Sequence, residues 1–286
     1  MSEPVAYFRW DLRQVIKITV YLLLLVNFVF YVLDDIEAAS HEMRKGGSLL
    51  EWTAAFATTI DESAWFILLL LFELETYVLS DEVQQRPMMM RLFHGVRLFC
   101  YLFLAHSIYA FGVIYIDLVA AQAVMGVSDI CELANRDLSF VRNVEYTVIT
   151  AENCRALSGA GAFFYTEPGL VVSDAAGLAL EQRLALVDWL EVVTWLLILA
   201  TIEVMVRLQD RSITRGRTVS AMKAAKLFLY TALWAMAAWW LFLGHFYYAW
   251  DEALWIVGFI AIEGNMNEWK NEIEARADTA VGELIT

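Results

Sequence analysis

Several stretches of this chain are apolar over about 20 residues, the length that an α-helix needs to cross the hydrocarbon core of a bilayer. Hydrocarbon offers no hydrogen bonds, so a segment that crosses it must pair its own backbone groups, as a helix does. The chain is 60% hydrophobic and contains three prolines, which suits long unbroken helices. The sequence predicts six spanning helices, at residues 14–33, 61–79, 97–117, 187–208, 226–249 and 251–266.

Two short signatures alternate along these segments and indicate an internal repeat. In the first, an acidic residue is followed four positions later by Trp and eight positions after that by Glu; in the second, a basic residue is followed four positions later by Tyr. They predict an all-α integral membrane protein of three tandem pseudo-repeated hairpins, at residues 14–79, 97–208 and 226–266. The copies are Asp61–Trp65–Glu73, Glu191–Trp195–Glu203 and Asp251–Trp255–Glu263, alternating with Lys17–Tyr21, Arg97–Tyr101 and Lys226–Tyr230.

The predicted domain organisation is a six-helix bundle over residues 1–267 and a tail over residues 268–286. Apolar residues recur in the tail at helical spacing beside charged ones, which predicts a cytoplasmic amphipathic helix. The sixth span is short, because Asp251 to Glu263 covers only about 18 Å at 1.5 Å per residue. It either continues intact towards Trp269 or forms a half-helix.

Basic residues cluster before the first span and in the connections after the second and fourth spans. The positive-inside rule therefore predicts that both termini are cytoplasmic. The compact size and the lack of targeting features favour a bacterial inner membrane. The outer loop, residues 118–186, is acidic, and the net charge of the whole chain is −14, which argues against nucleic-acid binding.

Two of the three cysteines, Cys131 and Cys154, lie in this outer loop. An oxidising exterior allows such cysteines to pair, so we expect a Cys131–Cys154 disulfide. Cys100 lies inside the third predicted span, where a buried thiol usually serves as a small apolar side chain.

The Glu that closes each acid–Trp–Glu signature is the main candidate for function. Glu73, Glu203 and Glu263 would each lie about 18 Å into a core of about 30 Å, and Glu75 adds a fourth acid near the first. A carboxylate in hydrocarbon is costly, so it suggests an ion or proton pathway. The alternative is structural: each Glu bonds a neighbouring side chain. The supporting polar residues are Tyr21, Tyr101, Tyr230, Lys17, Arg97 and Lys226.

The other parts of the signatures have simpler explanations. Trp one turn inside the boundary is typical of an aromatic belt that anchors a protein in the membrane. The acid that opens each signature would mark the outer boundary, and the basic residues would extend towards the cytoplasmic surface.

Two histidines, His106 and His245, are the candidates for a metal or haem site, but they are expected at different depths. No CxxCH, HExxH, Walker or GxSxG motif is present, so no cofactor is expected and an enzyme is disfavoured. Two functions remain open: a transport component that conducts or couples cations or protons, and a non-catalytic structural or assembly subunit of a membrane complex. The expected partners are the lipid bilayer and other membrane subunits or further copies of the chain.

Overall fold

A computed structural model describes residues 12–75, 79, 86–211, 213 and 215–260, and these residues are mostly helical. The chain divides into two compact units. We call residues 28–196 the central unit, and residues 1–27 together with 197–286 the terminal unit.

The helices vary widely in length, and four of them exceed 25 residues. In chain order they are α1 (Leu12–Glu42), α2 (Leu49–Ala55), α3 (Ala57–Glu73), α4 (Pro87–Val119), α5 (Cys154–Leu157), α6 (Ala175–Asp210), α7 (Arg217–Phe242) and α8 (residues 246–260).

Four helices of the described chain are long and apolar enough to cross a membrane, and a fifth candidate arises if α2 and α3 form one broken span. The four segments are Lys17–Glu42, Pro87–Val119, Ala175–Leu208 and Arg217–Phe242. Their large apolar side chains are exposed, among them Leu22, Leu98 and Phe228, all more than half exposed. These surfaces are those of a membrane protein, because water would not favour them. The predicted last span, residues 251–266, is described only as far as residue 260.

The predicted all-α fold needs correction, because residues 118–186 are not a simple loop. Between α4 and α6 the chain forms a five-stranded sheet of order β1-β4-β5-β2-β3, in which only the β2–β5 pair is parallel among the described strands. We call Gln122–Asp174 the strand-rich segment. Its strands are β1 (Gln122–Ala123), β2 (Ser139–Arg142), β3 (Glu145–Val148), β4 (Phe163–Glu167) and β5 (Val171–Asp174).

The hairpin between β2 and β3 has a two-residue turn, Asn143–Val144, in which both residues have positive φ, 58° and 62°. A turn of this kind matches the right-handed twist of the strands. Asn adopts this backbone readily, whereas a β-branched residue such as Val does so at a cost. The hairpin therefore needs support from elsewhere, and α6 provides some: the Val144 N–H donates to Glu181 Oε1 at 3.4 Å.

The strand-rich segment has its own apolar core. Phe163 is 1% exposed, and Ile130, Leu133 and Val172 are fully buried beside it. The predicted Cys131–Cys154 disulfide is confirmed, and Cys154 lies within the same core. The third cysteine, Cys100, is free and buried in α4.

The C-terminal end of α1 attaches to this sheet, which explains why α1 runs beyond its predicted end at residue 33. Tyr146 Oη donates to Glu42 Oε1 at 2.6 Å, and the Tyr146 ring stacks on His41 with ring centroids 5.3 Å apart. His41 Nδ1 lies 2.7 Å from Ser139 Oγ. Just past α1, Arg44 donates to the Leu170 carbonyl at 3.1 Å. These polar contacts give the last turns of α1 partners that the apolar pattern does not predict.

Within the terminal unit, α1 and α8 share a buried polar contact. Asn27 Nδ2 donates to Asp251 Oδ1 at 2.9 Å, and the two residues are 5% and 4% exposed. The acid that opens the third signature is therefore buried and hydrogen-bonded within the terminal unit, and its predicted place at the outer boundary stays a prediction.

Candidate functional site

Three acidic residues of α6 share one face of the helix. Glu181, Asp188 and Glu191 are seven and three positions apart, so at about 100° per residue they fall within an arc of roughly 80°. They extend over about 15 Å along the helix axis. Glu181 is 7% exposed, and the other two are half-buried. The face therefore carries acids into the central unit.

Each of these acids interacts with another carboxylate of the central unit. The charges of Glu191 and Glu181 both act on Asp188. Asp61 of α3 interacts with Glu191, and Glu181 interacts with Glu42 at the end of α1. Asp61, Glu191, Asp188, Glu181 and Glu42 thus form a chain of neighbouring acids, which we call the carboxylate series. Like charges so placed repel, and the repulsion falls when a proton or a cation lies between them.

Asp61, at one end of the series, has an asymmetric environment. Its Oδ2 accepts a hydrogen bond from Trp65 Nε1 at 3.1 Å, and its Oδ1 is buried. The side chain of Ser107 lies beside this carboxyl group. The Trp65 ring meets Trp195 edge to face, with centroids 6.0 Å apart. The acid and the Trp of the first two signatures therefore come together in the central unit.

The three Trp residues of the signatures are buried, which corrects their interpretation as membrane anchors. Trp65, Trp195 and Trp255 are 6%, 8% and 6% exposed. An aromatic belt requires rings at the lipid–water interface, and these rings instead pack inside their units. In the first copy the acid one turn away gives the buried indole N–H an acceptor, as the Trp65–Asp61 bond shows.

The other end of the series reaches the sheet through Glu42, which accepts the Tyr146 hydrogen bond. Burial, followed by the charge of Glu42, raises the pKa of Tyr146 well above its ordinary value, so its hydroxyl remains a donor. Glu167 of β4 lies nearby and is half-buried. Burial raises its pKa to about 7, and the charges of Glu42, Asp117 and Glu51 add to this effect.

The carboxyl groups predicted as the pathway lie elsewhere. Glu73 is the last residue of α3 and is half-buried, while Glu75, just beyond it, forms an ion pair with Arg97 of α4. In the terminal unit, Glu203 pairs with Arg207 one turn away at 3.8 Å, and both side chains are substantially exposed. Glu263 lies outside the described residues. The convergence of these acids stays a prediction.

The supporting residues are spread along three helices. Lys17 and Tyr21 of α1, Tyr101 of α4 and Lys226 of α7 are half-buried, and Tyr230 of α7 is 8% exposed. They occupy the helices on which the sequence places them, but their pairing with the three Glu residues is not tested.

The two histidines lie in different units and contact aromatic rings. His106 of α4 lies 5.9 Å from the Tyr109 ring, and His245 lies between the rings of Trp240 and Tyr248, at 5.5 and 5.1 Å. Within the described part of the chain, no group of three or more His, Cys, Asp or Glu residues is arranged to hold a metal ion.

Sequence reasoning missed Glu42, Glu181 and Asp188 as site residues. The helix that carries the last two was predicted to start at residue 187, but α6 begins at Ala175, directly after β5. The sequence does contain a signal for them: Glu181, Asp188 and Glu191 are seven and three positions apart, which places the three acids on one face of a helix that begins before residue 181.

Comparison of the chain with protein-family models, with curated proteins and with solved structures found no match. The assignment of function therefore rests on the geometry of the carboxylate series.

The Glu167→Gln variant is expected to be more stable than the wild type, and the difference in unfolding free energy should increase as the pH rises, because only the wild type must ionise Glu167. The folded pKa of Glu167, about 7, exceeds its ordinary value of 4.5, so the unfolded chain loses this proton first. Ionisation therefore costs stability between pH 4.5 and 7, and the full cost persists above pH 7. After solvent screening, we expect a gain about 1 kcal/mol larger at pH 8 than at pH 5, measured by denaturant unfolding.

Glu145→Gln, at an exposed position of β3, controls for the loss of one negative charge from the same sheet. An equal gain at both pH values in the Glu167→Gln variant would contradict this account of Glu167.

Proposed function

We propose that this protein is a membrane transport component that conducts protons or cations, or couples them to transport, through intramembrane carboxylates. The observation that carries the proposal is the carboxylate series, Asp61–Glu191–Asp188–Glu181–Glu42, in which each acid interacts with the next. Acidic residues inside a membrane protein are expensive, and they commonly mark proton relays and ion paths.

The series has the extent that such a path needs. The α6 acids cover about 15 Å along the helix, and Asp61 and Glu42 extend the series onto two further helices. Each step would pass a proton or a cation between two carboxylates whose charges act on each other. The buried carboxyl group of Asp61, beside Ser107, offers an acceptor at one end. At the other end, Glu42 lies next to Glu167 and the sheet.

The finer architecture belongs to the same proposal. Six spans in three repeated hairpins, a bacterial inner membrane and cytoplasmic termini would place the strand-rich segment outside the cytoplasm. The Cys131–Cys154 disulfide supports that side, since disulfides persist in oxidising compartments. Glu73, Glu75, Glu203 and Glu263 remain candidates for a second set of acids nearer the cytoplasmic side.

Proton or cation flux into liposomes that contain the purified protein tests the proposal. An Asp188→Asn variant keeps the shape of the side chain but removes its charge and its proton-carrying capacity. We therefore expect flux to fall at least tenfold, which corresponds to a barrier higher by about 1.4 kcal/mol. Flux is read with an internal pH-sensitive dye under a potassium diffusion potential, and with a second dye for the cation itself.

Glu37→Gln is the matched control, because Glu37 is an exposed acid of α1 outside the series, and its flux is expected to be unchanged. Wild-type flux no greater than that of empty liposomes would overturn the proposal. Equal flux in the wild type and in a folded Asp188→Asn variant would remove Asp188 from the path.

The second candidate function is a non-catalytic structural or assembly subunit. It is favoured by the hydrogen bonds that some of the acids already make, Asp61 to Trp65 and Glu42 to Tyr146. A subunit of this kind is expected to copurify with a stoichiometric membrane partner and to show no flux alone.

A further inference from the structure

The short helix α2 has an apolar face that the protein does not cover. None of its residues is buried, and Leu49, Leu50 and Trp52 are 79%, 58% and 42% exposed. At about 100° per residue, Leu49, Trp52 and Phe56 fall within an arc of roughly 60°. The rings of Trp52 and Phe56 stack with centroids 6.0 Å apart. The side chains therefore form one continuous apolar surface.

Polar residues cap the N-terminal end of α2, and Leu50, 58% exposed, adds apolar surface on a second side of the helix. Ser48 and Glu51 form a capping box: the Ser48 N–H donates to Glu51 Oε2 at 2.6 Å, and the Glu51 N–H donates to Ser48 Oγ at 3.3 Å. These reciprocal bonds fix where the helix starts and which way Glu51 faces. The cap thus sets the start and the rotation of a helix whose exposed side chains are mostly apolar.

The charges around α2 place it at the level where two candidate spans end. Glu51 acts electrostatically on Glu167, and so do Glu42, the last residue of α1, and Asp117, near the end of α4. Asp117 follows the apolar run of the candidate span α4, so it marks the transition from hydrocarbon to water. The capped end of α2, which carries Glu51, lies near the same transition.

The direction of α2 fits a position in the plane of the membrane. It meets α3 at a bend of 73°, and α3, with 17 residues, is about 25 Å long, close to the thickness of a hydrocarbon core. If α3 crosses the bilayer along its normal, the axis of α2 lies about 17° from the membrane plane. Spanning helices are commonly tilted by about 20°, so a tilt of α3 of that size can bring α2 into the plane. The apolar surface of α2 is then continuous with the lipid-facing surface of the spans.

We propose that α2 is an in-plane membrane anchor whose apolar face, Leu49, Trp52 and Phe56, inserts at the boundary between the lipid headgroups and the acyl chains. Trp favours this layer because its ring is apolar and its N–H is polar. The partner is the phospholipid surface itself. Among the charged residues near α2, four acids (Glu51, Glu42, Asp117 and Glu167) outnumber Arg44 and Lys45, which hydrogen-bond to the strand-rich segment. Insertion therefore depends on apolar contact and needs no anionic headgroup.

The test uses a polarity-sensitive nitrobenzoxadiazole label on Leu49→Cys in the full chain, reconstituted in phosphatidylcholine nanodiscs. Cys100 is buried and the other two cysteines are paired, so labelling is confined to the new thiol. Compared with the same label on Met125→Cys, the label on Leu49→Cys is expected to emit at shorter wavelength. Lipid that carries a nitroxide at acyl carbon 5 is expected to quench it at least threefold more strongly. Met125 is the matched control, a side chain 87% exposed in the strand-rich segment.

Quenching of the Leu49→Cys label by aqueous iodide, to the same degree as the Met125→Cys label, would overturn the proposal. Protection of the Leu49→Cys label from both iodide and nitroxide lipid would also overturn it, because the face would then be covered by protein. If the nitroxide lipid quenched the Leu49→Cys label only after anionic phosphatidylglycerol was added to the nanodiscs, insertion would depend on charge, which would contradict the apolar mode of insertion.

Discussion

Replacing Phe163 with alanine is expected to destabilise the strand-rich segment by about 4 kcal/mol. The ring is 1% exposed and lies within the apolar core formed with Ile130 and Val172. Its removal takes away the transfer free energy of the ring and leaves a cavity that short, sheet-bound strands cannot fill by collapsing. The core is small, so one large side chain provides a large share of its buried surface.

Hydrogen exchange of the β2 and β5 amides in the full-length protein measures this loss. These amides exchange when the segment unfolds, so their exchange rates should increase several hundredfold, since each 1.4 kcal/mol of lost stability is about a factor of ten. Met125→Ala, which truncates an exposed apolar side chain of the same segment, should change these rates by less than a factor of three. Equal protection in the Phe163→Ala variant and the wild type would show that Phe163 does not stabilise this sheet.

Removing the disulfide with Cys131→Ala and Cys154→Ala is expected to cost the segment about 3 kcal/mol. The bridge joins residues 23 positions apart, and a cross-link of that length restricts the unfolded chain by about this amount. Alanine suits the site because Cys154 is buried among apolar side chains, where a serine hydroxyl would add a desolvation cost.

The same exchange measurement reads this effect, and the Cys100→Ala variant is its control. That variant also removes a buried sulfur atom, from α4, but leaves the bridge in place. Faster exchange of the sheet amides in the double variant but not in Cys100→Ala would support the cross-link as the cause. An equal change in both variants would indicate a general effect of losing buried sulfur.

The sequence predicts four of the six proposed spans as helices long and apolar enough to cross a membrane, because each of the four carries a long apolar run. The start of α6 shows where this reasoning stops. Residues 175–186 contain charged and small residues, so hydropathy ends the helix at residue 187, whereas the structure continues it back to Ala175. The additional turns are stabilised by contacts with the strand-rich segment, such as the Glu181 hydrogen bond to the Val144 N–H.

The sheet was missed because its strands have two to five residues, too few to establish an alternating pattern. Ser139 and Ser173 are buried inside it, although their polarity suggests exposure. The structure explains Ser173, whose hydroxyl donates to the Val141 carbonyl at 2.7 Å. Contacts between residues distant in the chain decide this part of the fold, and a single sequence does not display them.

The candidate site divides in the same way. The acid–Trp spacing was visible, and two of its copies meet through Trp65 and Trp195. Its meaning was misjudged because a Trp near the end of a span can face lipid or protein, and the sequence does not distinguish the two. The acids that interact, Asp61 and Glu191, open the signature, whereas the sequence analysis favoured the Glu that closes it.

The attachment of α1 to the sheet has a consequence for the order of synthesis. Arg44 donates to the Leu170 carbonyl, which lies 126 positions later in the chain, whereas the disulfide joins residues only 23 positions apart. Local closure has the lower entropic cost, and long-range pairing is slower. The end of α1 thus leaves the ribosome well before its partner exists. Water must solvate these polar groups until β2, β3 and finally Leu170 are made, and the docking of the complete sheet onto α1 is therefore a late step in biogenesis.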